Sequence, residues 1–270
     1  MSSFEDLVEI VATLRGENGC PWDKAQNPES MRPYILEEAH EVLDAIDGGD
    51  SEQIKKELGD LLFQIVLLAQ MKSEEGIFDV HDICRTIADK MVSRHPHVFD
   101  PQHVSKDNEG SIEAWEARKS KERGNKTSMM DGIPKGLPSL LRAHRVGEKV
   151  SGIGFDWPNL DGVRDKLQEE LDELDEAIHS NNPDEINAEY GDVLLSVANM
   201  GRFLSTDPET ALRMANERFS ARFRHVEALA KERGLSLHAM NIQELEHLWQ
   251  DAKKHLEERS SNRSSTQGTP

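Results

Sequence analysis

Two short runs of acidic residues hold the spacing most suggestive of chemistry. Glu37-Glu38-x-x-Glu41 is followed by Glu57-x-x-Asp60, and Glu169-Glu170-x-x-Glu173 by Glu189-x-x-Asp192. Carboxylates are hard oxygen donors. Four of them gathered at one place repel one another unless a hard divalent cation joins them, and such a cation commonly bridges carboxylates to the phosphates of a substrate. Acid-rich helices are ordinarily solvated faces, so the question is whether these acids converge.

The elements that carry them predict convergence. Arg164 to His179 has the period of a helix. Asn182 is a suitable N-cap for a second one, with Pro183 at its first position. Two helices joined by so short a turn form an antiparallel hairpin. Glu173 and Glu189 are equidistant from position 181, as are Glu170 and Asp192. Each pair therefore lies at one height, and the two pairs stack one turn apart on one face. The first run repeats the arrangement about position 49, with Glu41 opposite Glu57 and Glu38 opposite Asp60. Glu37 and Glu169 lie beside these boxes. Leucine, isoleucine, valine and phenylalanine surround Asp60, and Val193, Leu194, Leu195, Val197 and Ala198 follow Asp192. The second helix of each hairpin is thus expected to be buried nearly all round, where unpaired charge is costly.

The recurrence is a duplication. Both acidic motifs repeat at an offset of 132 residues (37 to 169, 57 to 189). Arg94-x-x-His97-Val98 returns as Arg222-x-x-His225-Val226, and Trp115-x-x-x-Lys119 as Trp249-x-x-x-Lys253. The predicted organisation is all-α, with two tandem helical-bundle domains, each built on one carboxylate hairpin. They span 1–122 and 139–258. A Gly- and Pro-bearing linker occupies 123–138, and a Ser-, Asn- and Thr-rich tail, 259–270, is expected to be disordered.

Bulk properties narrow the function. The net charge is −19, which disfavours a nucleic-acid polymer as partner. Two cysteines supply no disulfide framework. Neither a signal peptide nor a run long enough for a membrane span is evident, so a soluble, cytoplasmic protein is expected. A di-iron carboxylate bundle would use a Glu-x-x-His element, which Glu37-x-x-His40 fits. The second copy has Asp172 in the place of that histidine, which favours Mg²⁺ or Mn²⁺ over redox metals.

Glu-Glu-x-x-Glu followed by Glu-x-x-Asp resembles the signature of the MazG nucleotide pyrophosphohydrolases, members of the all-α NTP pyrophosphatase superfamily. Cys20-Pro21-Trp22-Asp23, Arg94-His95-Pro96-His97-Val98-Phe99 and Gly154-Phe155-Asp156-Trp157 look like MazG segments too. The resemblance spans nearly the whole chain and is to the tandem form. It implies hydrolysis of NTP or dNTP to the monophosphate and pyrophosphate, with broad base tolerance, as nucleotide-pool housekeeping. It also implies Mg²⁺ held by these acids, a metal-activated water, and packing as a homodimer or higher oligomer. The alternative is a nucleotide-sensing or partner-binding module with a degraded site.

The copies differ along the stripe that continues from the box. It runs Glu189, Asp192, Ser196, Asn199, Arg202 in the second and Glu57, Asp60, Gln64, Leu67, Gln70 in the first. Lys166 replaces Tyr34. Triphosphate requires cations and donors as well as metal, which points to the C-terminal copy as the catalytic one. Its expected catalytic residues are Glu169, Glu170, Glu173, Glu189 and Asp192, with Glu170, Glu173, Glu189 and Asp192 as metal ligands. Lys166, Asn199, Arg218, Arg222, Trp249 and Lys253 are expected to contact nucleotide: the arginines its phosphates, and Trp249 its base. The N-terminal Glu38, Glu41, Glu57 and Asp60 are expected to bind metal, bind nucleotide weakly, or serve assembly. His225 reads as a packing residue.

Overall fold

A computed structural model describes residues 3–100 and 128–266, with side chains through Lys254. Helices and turns make up the described residues, with no strand among them. The chain divides into two compact units, Met1–Trp115 and Glu116–Pro270.

The first unit contains α1 (Phe4–Arg15), α2 (Pro21–Ala25), α3 (Pro28–Gly48), α4 (Ser51–Glu74), α5 (Val80–Arg94) and α6 (Pro96–Phe99). Side-chain caps begin the longer helices. Ser3 and Asp6 form a reciprocal capping box, as do Asn27 with Ser30 and Asp79 with Asp82. Helix α3 ends at Gly49, whose φ of +70° is left-handed. Asp50 then caps α4 through the amides of Glu52 and Gln53, so α3 and α4 close as the expected hairpin. Val11, Met31, Val66, Leu67 and Val80 bring α1, α3, α4 and α5 into one core. Arg15 fastens the ends of α1 and α4 with a two-pronged bond to Glu74 (2.7 and 2.8 Å), and also donates to the carbonyls of Asp23 and Gln26.

The second unit contains α7 (Ser139–Ser151), α8 (Leu160–Ser180), α9 (Pro183–Phe203), α10 (Pro208–Glu232), a 3₁₀ turn at Leu237–Ala239, and α11 (Ile242–Thr266). Asn181, at φ +57°, reverses the chain, and Asn182 caps α9 through the amide of Asp184. Asparagine is among the few non-glycine residues that adopt this backbone readily. Helix α9 packs on α8 and α7, and α10 packs on α7 and α11. Val226, Leu229, Ala230, Leu248 and Ala252 form the α10–α11 core.

The structure bears on three expectations. The hairpin helices are not buried all round, because Leu58, Leu62 and Ile65 of α4, and Leu194, Leu195 and Val197 of α9, are exposed. Helix α4 packs on α3, α1 and α5, and α9 on α8, α7 and α10, which leaves part of each helix uncovered. The tail is not wholly irregular, since α11 continues to Thr266; no glycine or proline interrupts the chain before Gly268. The described part of the expected linker, 128–138, is bound to the second unit: Lys149 donates to the carbonyls of Met129 (2.7 Å) and Asp131 (2.8 Å). The Trp115 to Lys119 repeat lies outside the described residues.

Candidate active site

Each hairpin brings three of its four box acids together. Ligand oxygens of Glu38, Glu41 and Glu57 lie within 4.8 Å of one another, and so do those of Glu170, Glu173 and Glu189. The fourth acids, Asp60 and Asp192, stand outside these groups, where the symmetric box placed them inside. Aspartate is one methylene shorter than glutamate, and Asp192 is turned to solvent. Glu37 and Glu169 are exposed beside the triples, as expected.

The triples differ in which corner is buried. In the first unit it is Glu57, on the second helix, at 3% exposure; in the second it is Glu170, on the first helix, at 6%. A lysine accompanies each buried corner. Lys56 Nζ lies 3.0 Å from Glu57 and 3.8 Å from Asp60. Lys166 Nζ lies 2.8 Å from Glu169 and 2.9 Å from Glu170. The Lys56 bond holds the Glu57 carboxyl below the ordinary range, and its two acids hold Lys166 protonated. Glu41 and Glu173 are pushed up, first by desolvation. Glu41 is raised further by its hydrogen bond to Glu57, and Glu173 by neighbouring carboxylates, against the lowering effect of Lys166. Crowded carboxylates that resist ionisation are what a missing positive charge would relieve.

The donor set fits a hard divalent cation: three carboxylates in reach of one point, all oxygen, with solvent access on one side. In the first unit Glu57 Oε2 is buried with no hydrogen-bond partner among the described residues. Gln64, also buried, donates to Glu38 (3.2 Å) while its own Oε1 has no partner among them either. Oxygens left so are suited to accept a cation.

The other expected contacts separate. Asn199 is only 9% exposed and is covered by α7. A Cβ at Gly147 would stand 1.9 Å from its Oδ1 and 2.8 Å from Arg202 Nε, so glycine is what lets α7 approach α9. The counterpart of Asn199, Leu67, is buried as well. The asparagine–leucine contrast lies under a neighbouring helix, and there Asn199 Oδ1 is buried with no hydrogen-bond partner among the described residues. Arg202, the cation at the end of the stripe, is engaged by Asp156 in a two-pronged bond (2.6 and 2.9 Å) that lowers the Asp156 carboxyl.

Arg218 is exposed and Arg222 half-buried on α10, and neither makes an ion pair among the described residues. Trp249, on α11, meets Phe219 at 5.0 Å between ring centres, and Phe219 stacks on Phe223 at 6.2 Å. These rings line a cleft of about 720 Å³ with Leu237, Ile242 and Leu245, bordered by Glu227, His238 and Glu246. Arg218 and Arg222 each precede one of these phenylalanines, roughly 100° round the helix from it. Lys253 is half-buried one turn beyond Trp249. No hydrogen bond or ion pair among the described residues links Arg218, Arg222, Trp249 or Lys253 to the triple. Sequence reasoning gave no role to Lys56, to the Phe219–Phe223 pair, or to Asp156 within its Gly154-Phe155-Asp156-Trp157 segment. Their signals were present: a lysine four before Asp60, an acid in the turn before α8, and two phenylalanines four apart.

Known proteins resemble this chain in sequence. The family model described as the MazG nucleotide pyrophosphohydrolase domain matches residues 26–99 and 160–227, the stretches holding the two hairpins. The chain is 43% identical over 252 residues to the nucleoside triphosphate pyrophosphohydrolase/pyrophosphatase MazG of Thermotoga maritima, covering 93% of this chain and 95% of that one. It is 43% identical over 259 residues to the nucleoside triphosphate pyrophosphohydrolase of Escherichia coli (strain K12), covering 94% and 98%. With the all-helical fold and two matched carboxylate hairpins, the chain belongs to the MazG nucleotide pyrophosphohydrolase family.

Proposed function

We propose that this protein is a Mg²⁺-dependent nucleoside triphosphate pyrophosphohydrolase, converting NTP or dNTP and water to the monophosphate and pyrophosphate, with catalysis in the C-terminal unit. The observation that carries the reading is the convergence of Glu170, Glu173 and Glu189 beside Lys166. Those three acids would hold the cation, with Asp192 turning in as a further ligand. When bound, the cation supplies Lewis-acid stabilisation of charge on phosphate oxygens and activation of water; Mn²⁺ substitutes for it. Glu169, outside the triple and open to solvent, is the motif carboxylate left to accept a proton from the attacking water. Lys166 brings a positive charge to the edge of the triple. Arg218 and Arg222, without acidic partners among the described residues, serve the triphosphate, with Lys253 assisting. The Phe219–Phe223–Trp249 cleft takes the base. Its walls are rings and aliphatic chains, which stack on any base, so broad base tolerance follows.

The working form is a homodimer in the cytoplasm. Leu171, Ile178, Tyr190, Leu194 and Val197 stand exposed on the C-terminal hairpin, an apolar face that a second copy covers. No helix among the described residues is long and apolar enough to cross a membrane.

The test is product analysis across a panel of triphosphates, with Mg²⁺ and with chelator. Monophosphate and pyrophosphate should appear only with metal. Diphosphate and orthophosphate would mean that a different bond is cut. No product from any triphosphate would favour a nucleotide-binding module.

A further inference from the structure

The two boxes spend their lysines differently. Lys166 binds Glu169 and Glu170, both on the first helix of its hairpin, and leaves Glu189 and Asp192 on the second helix without an ion pair among the described residues. Lys56 lies on the second helix of its hairpin and engages both acids of that helix, Glu57 and Asp60. A cation that joins the two helices needs acids from each. In the C-terminal copy the second-helix acids are free to serve, whereas in the N-terminal copy an ammonium already occupies them. The position matching Lys56 in the C-terminal copy is Ala188.

The N-terminal box is otherwise built to receive an ion. Its three glutamate oxygens converge within 4.8 Å. Glu57 Oε2 and Gln64 Oε1 are buried without partners among the described residues, and Gln64 is directed at the box through its bond to Glu38. We infer that Lys56 is a tethered competitor for the divalent cation: its ammonium, held between Glu57 and Asp60, keeps the N-terminal box metal-poor while the C-terminal box fills. This rests on the reading of the boxes as metal sites. Lys56 is 64% exposed, so its removal leaves the core untouched.

The probe is Mn²⁺, titrated into the full chain with free ion followed by electron paramagnetic resonance. The wild-type chain should bind one equivalent tightly. Lys56→Ala should add a second equivalent, with affinity for it raised at least about tenfold, and Glu57→Gln in that background should remove it. Lys56→Arg, which keeps the charge, should bind as wild type does. Ala188→Lys should weaken the C-terminal site. Superimposable curves for wild type and Lys56→Ala overturn the inference, as does a wild-type chain that already fills both boxes, or a Lys56→Arg curve matching Lys56→Ala. Absence of Mn²⁺ binding in wild type and every variant removes the metal reading itself and this inference with it, an outcome distinct from the others.

Discussion

The two units are one design with its charges rearranged. Each has an antiparallel hairpin closed by a left-handed residue, Gly49 in one and Asn181 in the other. Each covers the second hairpin helix with a preceding helix, α1 or α7. Each fastens the far end of that second helix with an arginine–carboxylate fork, but the partners are exchanged: α4 supplies the acid of Arg15–Glu74, and α9 supplies the base of Arg202–Asp156. The buried corner of the box and its lysine likewise move from the second helix to the first. Hairpin geometry tolerates such exchanges because it depends on backbone reversal and helix period. What an exchange alters is which acids the lysines leave free in each hairpin.

The largest effect should separate the copies most cleanly. Glu173→Ala, Glu170→Ala or Glu189→Ala should lower kcat roughly a hundred- to a thousandfold, with circular dichroism unchanged. Glu41→Ala in the matching place should leave most of the activity. Equal losses from both would place catalysis in both hairpins.

Stability offers the next comparison. Asp156→Asn leaves the nearly buried Arg202 without its charge partner and should cost about 2–3 kcal/mol in denaturant unfolding. Glu74→Gln should cost less, about 1 kcal/mol, because Glu74 is more open to solvent. The pH dependence follows the same bond. Arg202 depresses the Asp156 carboxyl in the folded protein, so its contribution is present above the ordinary carboxylate range and is lost as pH falls through the depressed value. Acid titration of Asp156→Asn should lack that component.

Gly147→Ala tests the cover over Asn199. The added methyl meets Asn199 and Arg202, and a loss of about 1–3 kcal/mol is expected in thermal unfolding. An unchanged Tm would mean that α7 does not lie so close. Trp249→Ala tests the cleft and should raise KM about tenfold with kcat little altered. A loss confined to kcat would detach the cleft from base binding.

Much of this was legible in the residue order. The hairpins, their turn positions and the convergence of Glu170, Glu173 and Glu189 followed from caps, prolines and helix period, all local properties. Burial was not legible in the same way. Asn199 looked like part of a polar stripe because nothing in its own helix shows that α7 lies over it, and Gly147, which permits that approach, is distant in the chain. Arg202 looked available for the same reason, since Asp156 sits 46 residues away. Conversely, Leu58 and Leu194 looked interior and are exposed, because periodicity reports where apolar residues stand round a helix and not whether anything covers them. Lys56 was missed because it reads as an ordinary i to i+4 partner of Asp60 until its bond to buried Glu57 is seen.

The tightness of the two turns also bears on how the protein acquires its structure. Gly49 and Asn181 join helices of 21 and 24 residues in one hairpin and 21 and 21 in the other, so the partners that must find each other are near neighbours in the chain. Low sequence separation favours rapid, independent assembly. The acidic residues of each box thus meet through contacts that are close in sequence, the kind that low contact order favours forming rapidly.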